Sequence, residues 1–235
     1  MRDGQQSPLD LFVGRAAERE RIAEAFRRAA AGEPWLVAIE GDPGMGKTAL
    51  ARQALEGLRV LSARGGQGEA DLEYGVVEQL LRSAGEPGRA GVDPADSSFR
   101  VGARLLHVVD GLQAAGPMAL LIDDLQWADR KSVEALTFTL RRLSVDPVTA
   151  VVTYRGPARN LDGAGQRLLT SVEHRLHLAL GGLSEDEVAE LATRIQPGRW
   201  TSGPRSGCTW GPAGIRSTCT PCWPTDPAST PAHAG

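Results

Sequence analysis

The stretch EGDPGMGKTAL, residues 40–50, decides the fold. Within it Gly41, Asp42, Pro43, Gly44, Met45, Gly46, Lys47 and Thr48 fit the pattern G-x-x-x-x-G-K-[ST]. The spacing has a mechanical reason. Glycines let the backbone curl so that several N–H groups point inward. The N-terminus of the next helix adds donors that no helical carbonyl can bond. Together they cradle an anion such as a β-phosphate. In such a loop Lys47 reaches the β/γ oxygens, and the Thr48 hydroxyl is placed to ligate Mg²⁺.

The flanks agree with a phosphate loop. WLVAIE (35–40) reads as a buried parallel strand. Residues 47–58 return to helical spacing through Leu50, Ala54, Leu55 and Leu58. The plain alternative is a glycine-rich turn before an ordinary helix. Lysine usage argues against it. Of 26 basic residues only Lys47 and Lys131 are lysine. Such a preference for arginine, with abundant Ala and Gly, suggests a GC-rich gene, and codon bias alone would favour arginine at 47. A compact ammonium fits inside a phosphate loop, whereas a planar guanidinium demands fork geometry.

Outward from the loop, strands and helices alternate. Residues 16–31 place Ile22, Ala25, Phe26 and Ala29 on one helical face, ended by Gly32. A second strand is expected at 59–63, helices at 72–84 and 99–115, and a third strand, MALLID, at 118–123. A helix over 132–143, a strand over 148–154, a further strand over 174–180 and a helix opened by Ser184 follow. Ser184 and Glu187 fit a capping box. The alternation predicts an α/β fold of the P-loop NTPase kind: three layers, α/β/α, around a mostly parallel five-stranded sheet. The expected division is a disordered N-terminus at 1–11, a core at 12–182, the first helix of an incomplete helical lid at 183–196, and an irregular tail at 197–235.

LLIDDLQWAD (120–129) ends the third strand in two carboxylates, at the sheet edge where ligands collect in α/β folds. Asp123 is the candidate for holding Mg²⁺ through water. Asp124 is the candidate for orienting or deprotonating an attacking water. The alternative is a solvated acidic turn capping the helix near 130. Arg155 directly follows the fourth strand. If that strand lies between the phosphate-loop strand and the acidic strand, Arg155 faces the γ-phosphate and can sense it. Trp127 is read as a packing anchor before a base-stacking residue. His174 and His177 fall on opposite faces of one strand, so they cannot pair as metal ligands there.

The totals exclude several classes. The 235 residues carry a net charge of −3, without the basic excess of a dedicated nucleic-acid binder. The composition is 41% hydrophobic and 23% charged, which suits a globular domain. No apolar run reaches the ~18–20 residues of a membrane span, and MRDGQQSPLD lacks the apolar core of a secretory signal. A cytoplasmic protein with no membrane partner is expected. All three cysteines, Cys208, Cys219 and Cys222, lie in the tail, so no disulfide framework supports the fold. Cys219-x-x-Cys222 suggests zinc or redox chemistry only weakly, because a second ligand pair is missing.

Taken in order, these motifs resemble the ATPase module of signal-transduction ATPases with numerous domains. More narrowly, they resemble the N-terminal part of large ATP-binding LuxR-type transcriptional regulators. FVGRAAERERI (12–22) is similar to the family's opening motif, which implies that Val13, Gly14 and Arg15 lie near the adenine. GDPGMGKT and LLIDDLQWADRKSVEAL are similar to its Walker A and Walker B segments, and VVTYR and LGGLSEDEVAEL continue the series. The resemblance covers about 12–195. It implies binding of ATP or ADP with Mg²⁺, slow hydrolysis, a switch between ADP-held and ATP-held states, and self-association of the full-length regulator. In relatives a C-terminal helix-turn-helix binds DNA; none is expected here, so no direct nucleic-acid contact is expected from this chain. A small-molecule kinase and a non-catalytic ATP-binding scaffold are the alternatives.

After Gln196 the character changes. The tail holds three of the five tryptophans and no helical or strand period. Read one base earlier with GC-rich codons, it permits an amphipathic helix, a glycine turn and another apolar helix. That frame includes G-G-H-P-L-Y, which is similar to the family's lid motif. A frameshift near 196 is therefore expected, with weakened ATP affinity and turnover near zero as its consequence.

Overall fold

The computed structural model describes residues 12–85 and 91–195. The disorder expected at 1–11, the frameshift expected near 196 and the cysteines of the tail lie outside the described residues. Five strands form one sheet: β1 (Trp35–Gly41), β2 (Arg59–Arg64), β3 (Met118–Asp123), β4 (Val148–Arg155) and β5 (His174–Leu180). Their order is β2-β3-β4-β1-β5, and every neighbouring pair is parallel. Strand β4 thus lies between the phosphate-loop strand and the acidic strand, as the Arg155 reading requires.

Strand parity sorts the core into two faces. Leu36, Ala38, Leu120, Ile122, Ala150 and Val152 point to one side. There they pack on α3 (Gly75–Ser83), α4 (Ser98–Gln113), α5 (Arg130–Leu140) and α6 (Gly163–Leu169). Val37, Ile39, Leu121, Val151, Leu176 and Leu178 point to the other side. They meet Ile22 and Ala25 of α1 (Ala16–Ala30) and Leu50 and Ala51 of α2 (Lys47–Ala54). The result is the expected three-layer α/β/α arrangement.

Several boundaries differ from the sequence reading. The helix after the phosphate loop stops at Ala54 rather than 58. Gly57, with φ 81°, turns the chain directly into β2. The helix expected from 72 begins at Gly75, because Tyr74 adopts a left-handed φ of 63°. Asp129 makes that start possible. Its buried carboxylate accepts the Tyr74 N–H at 2.9 Å and the Ser132 N–H at 2.8 Å, joining the first turns of α3 and α5. The expected helix at 132–143 therefore begins at Arg130, capped by Asp129. Helix α6 was not anticipated; Asp162 caps it through the Gly165 N–H.

Strand β2 lies at an end of the sheet, where unpaired backbone groups would face outward. Gln79 of α3 covers those of Arg64. Its Oε1 accepts the Arg64 N–H at 2.9 Å, and its Nε2 donates to the Arg64 carbonyl at 3.1 Å. Ser83 Oγ accepts the Ser62 N–H one pleat earlier.

Helix α7 (Glu185–Ile195) has the predicted capping box: Ser184 N–H donates to Glu187 Oε2 at 2.8 Å, and Glu187 N–H to Ser184 Oγ at 3.3 Å. None of its residues is buried. Among the described residues, no helix is long and apolar enough to cross a membrane.

Candidate functional site

The carboxyl ends of β1, β2, β3 and β4 meet at one edge of the sheet, and parity decides which side chains gather there. Arg64 is in register with Asp123 across β2 and β3. Ile122 pairs with Val152, so Thr153 stands beside Asp123 on the face that carries α2.

The loop between β1 and α2 is curled. Gly44 and Gly46 have φ of 84° and 82°, a region that costs a side-chain-bearing residue energy. A Cβ at Gly46 would meet nothing within 4 Å, so space lies open above the loop. Lys47 is buried, and its Nζ donates to the carbonyls of Gly41 at 2.8 Å and Asp42 at 2.9 Å. The ammonium thus sits inside the loop rather than extending from it. Burial lowers its pKa from the ordinary lysine value; the nearby Asp124 charge opposes that shift and Arg155 adds to it. Met45, Asp42 and Pro43 form the turn, with the Met45 N–H bonded to the Asp42 carbonyl. The first N–H groups of α2 have no intrahelical carbonyl to bond.

Thr48 Oγ1 donates to Asp123, at 2.8 Å to Oδ1 and 3.1 Å to Oδ2. Thr153 Oγ1 donates to Asp123 Oδ1 at 2.6 Å. Two hydroxyls and a buried carboxylate form a compact oxygen cluster beside the open loop. Such a hard donor set suits Mg²⁺, which takes oxygen ligands and keeps several waters. The sequence reading placed Thr48 and Asp123 here; Thr153 it missed.

Asp124 is built differently. It has a left-handed φ of 54° and opens a 3₁₀ turn, Leu125–Trp127. Its N–H donates to Thr153 Oγ1 at 3.0 Å. Its Oδ2 accepts from Arg64 Nη2 at 2.8 Å and Nε at 3.1 Å, and its Oδ1 from Gln126 Nε2 at 2.9 Å. Arg155 Nε lies 3.5 Å from Oδ1. Burial pushes this carboxyl up, but donation by Gln126 and Arg64 and the charges of Arg64 and Arg155 outweigh it. The net pKa lies below the ordinary value. A carboxylate so engaged is a weak base. Arg64 and Gln126 were not singled out from sequence; for Arg64 the signal was its position as the last residue of the strand beside the acidic one. Gly65 allows the approach, since a Cβ there would lie 2.6 Å from the Asp124 carbonyl oxygen.

Val13, Gly14 and Arg15 lie apart from this cluster, at the start of α1. Val13 is buried. Arg15 has a left-handed φ of 58°, and its N–H donates to Glu187 Oε1 at 2.8 Å. Its guanidinium bonds the Gly181 carbonyl and pairs with Glu18 at 3.2 Å. A Cβ at Gly14 would sit 2.1 Å from Glu187 Oε1, so a side chain there would displace the Glu187 carboxylate. The opening motif thus holds the first turn of α7. The backbone donors of Ser184 and Arg15 keep the Glu187 carboxyl below its usual range.

Lys131, His174 and His177 have structural partners. Lys131 Nζ donates to Glu73 Oε2 and the Pro94 carbonyl, each at 2.7 Å. His174 stacks on Trp35, while His177 lies 3.0 Å from Glu40 Oε2 and from the Tyr154 hydroxyl. His107 is exposed and Trp127 half-buried. Among the described residues no three His, Cys, Asp or Glu side chains form a metal-ligating group.

A family profile described as AAA ATPase domain matches residues 11–152, more than half of the chain. The Aeropyrum pernix ORC1 protein, solved in complex with DNA, is similar at 22% identity and a TM-score of 0.58, over 80% of this chain and 52% of that one. Drosophila ORC bound to DNA is similar at 20% identity and a TM-score of 0.55, over 79% of this chain and 48% of that one. A signal transduction ATPase with numerous domains from Pyrococcus horikoshii, carrying a tetratricopeptide repeat sensor, is similar at 21% identity and a TM-score of 0.50. That match covers 80% of this chain and 26% of the other. At these identities the likeness concerns the fold, and this chain spans about half the length of the ORC chains. Comparison with curated protein sequences gives no match.

Proposed function

The chain belongs to the AAA ATPase domain family, and from that premise we propose that it binds ATP and Mg²⁺ as a slowly hydrolysing switch. The observation that carries this reading is the hydrogen bond from Thr48 to Asp123 at 2.8 Å, beside a curled loop with a buried ammonium. The backbone of Gly41, Asp42, Pro43, Gly44, Met45 and Gly46 would wrap the β-phosphate, with Lys47 turned from the loop carbonyls onto phosphate oxygens. Thr48 and Asp123 would hold Mg²⁺, which would supply positive charge against the phosphates. Arg155, at the end of the central strand β4, would meet a γ-phosphate. Val13, Gly14 and Arg15 would border the adenine, with α7 closing over them as the first piece of a lid.

A finer reading makes this the ATPase module of a LuxR-type transcriptional regulator, without contact to nucleic acid through this domain. It rests on the ordered series from FVGR through DDLQWAD to the Ser184 capping box. One observation favours the scaffold alternative. Both oxygens of Asp124 already accept hydrogen bonds, from Arg64 and Gln126. Such a carboxylate can position water but draws off a proton poorly. A small-molecule kinase draws no support from the family match.

The test is a titration of the purified chain with ATP and ADP, with and without Mg²⁺, alongside phosphate release. Binding strengthened by Mg²⁺ is expected, with turnover near zero. Lys47→Arg should lose roughly 100-fold in ATP affinity, the worth of about two charge-assisted hydrogen bonds. Equal ATP binding by that variant would remove the basis of the proposal.

A further inference from the structure

Gln126 sits in the 3₁₀ turn after the acidic pair, and both ends of its carboxamide are used. Nε2 donates to Asp124 Oδ1 at 2.9 Å. Oε1 accepts the backbone N–H of Arg155 at 3.0 Å. A reversed amide would set N–H against N–H and oxygen against a carboxylate, so chemistry dictates this orientation. One side chain therefore ties Asp124, at the end of β3, to the main chain of Arg155, at the end of β4.

We infer that Gln126 is a positioning residue that couples γ-phosphate sensing by Arg155 to the placement of Asp124. The inference rests on the ATP-switch reading. Three features of the site support it. The Arg155 guanidinium and the Gln126 carboxamide address the same carboxylate oxygen, Asp124 Oδ1. When the guanidinium turns to a phosphate, Gln126 remains as that oxygen's donor, so Asp124 stays registered to β4. The turn that carries Gln126 is itself fixed: Trp127 N–H bonds the Asp124 carbonyl at 2.9 Å, and Gly65 packs against its backbone without space for a Cβ. Finally, Arg155 is substantially exposed, with 42% of its side chain accessible, and its main-chain bond to Gln126 adds to the pairing of β4 with β1 in fixing the backbone from which the guanidinium extends. ADP, lacking the γ-phosphate, gains nothing from that placement.

The test compares Gln126→Glu and Gln126→Leu with the unmodified chain. Dissociation constants for Mg·ATP and Mg·ADP are measured with fluorescent nucleotides from neutral pH down to about pH 5, where a glutamate carboxyl begins to protonate. Both variants should keep ADP affinity within about twofold, which also reports that they fold. Both should lose roughly fivefold or more in ATP relative to ADP at neutral pH, the worth of about one hydrogen bond. Glutamate accepts the Arg155 N–H but cannot donate to Asp124 while ionised. Once protonated it can do both. The ATP-to-ADP ratio of Gln126→Glu should thus recover as pH falls, measured against the unmodified chain at each pH, while that of Gln126→Leu does not. An unmoved ratio in both variants, or equal losses without recovery, overturns the coupling alone. If the unmodified chain binds neither nucleotide, the ATP reading falls and this inference with it.

Discussion

Two carboxylates adjacent in sequence occupy opposite kinds of surroundings. Asp123 ends a strand, faces α2, and takes hydrogen bonds from the hydroxyls of Thr48 and Thr153, with Arg64 Nε no nearer than 3.8 Å. Asp124 leaves the strand through a left-handed residue and lies among two arginines and a carboxamide. Hydroxyls can rotate and hand their lone pairs to a cation, so the first site stays adaptable. Guanidinium groups have only donors to give, so the second site is already neutralised. One step along the backbone therefore separates a place suited to a metal ion from a place suited to fixing charge.

The sharpest challenge to this contrast is Asp123→Asn. The amide keeps the shape but loses the charge that would attract Mg²⁺. The strengthening of ATP binding by Mg²⁺ should fall by roughly tenfold or more, in keeping with the cost of a charge-assisted contact, and a titration at fixed nucleotide measures it. Persistence of the full Mg²⁺ effect would place the cation elsewhere. An effect on stability rather than on binding is expected where the two regions join. Thr153 Oγ1 donates to Asp123 and accepts the Asp124 N–H. Thr153→Val leaves that buried N–H without its acceptor and should cost about 1–3 kcal/mol of stability, read from denaturant unfolding, while Thr153→Ser restores most of it. The smallest effect concerns Arg64→Gln. Asp124 has a depressed pKa in the folded chain, so its contribution is complete above the unfolded carboxylate range and fades as pH falls through the folded value. Weakening the clasp raises the folded value and narrows that window. The acid-unfolding midpoint should rise by roughly a few tenths of a pH unit, kept small because 64% of the Arg64 side chain is exposed to screening solvent. An unchanged midpoint would mean that Arg64 contributes nothing to holding Asp124.

The same pair shows what was legible in the sequence. Asp123 could be placed because an apolar strand must end, and its last residue must face one layer or the other. The phosphate loop was legible because its glycines serve backbone geometry. The partners of Asp124 were not, since Arg64 lies 60 positions away and becomes a neighbour only once β2 is known to flank β3. Helix α6 escaped notice for a local reason. It opens Gly163-Ala164-Gly165, whose two glycines have poor helix propensity, and forms because Asp162 supplies the cap and Leu168 is buried. The opening motif was recognised as a unit, but its grip on Glu187 depends on the chain returning after 172 residues. Spacing along the sequence carries no trace of that contact.

The amide of Gln79 also fixes how this architecture can combine with others. Because it imitates a neighbouring strand at Arg64, an extended segment approaching from that flank finds the bonding positions there taken. With the Ser62 N–H held by Ser83 Oγ as well, the carboxyl end of β2 keeps few backbone groups for a strand from another polypeptide to bond.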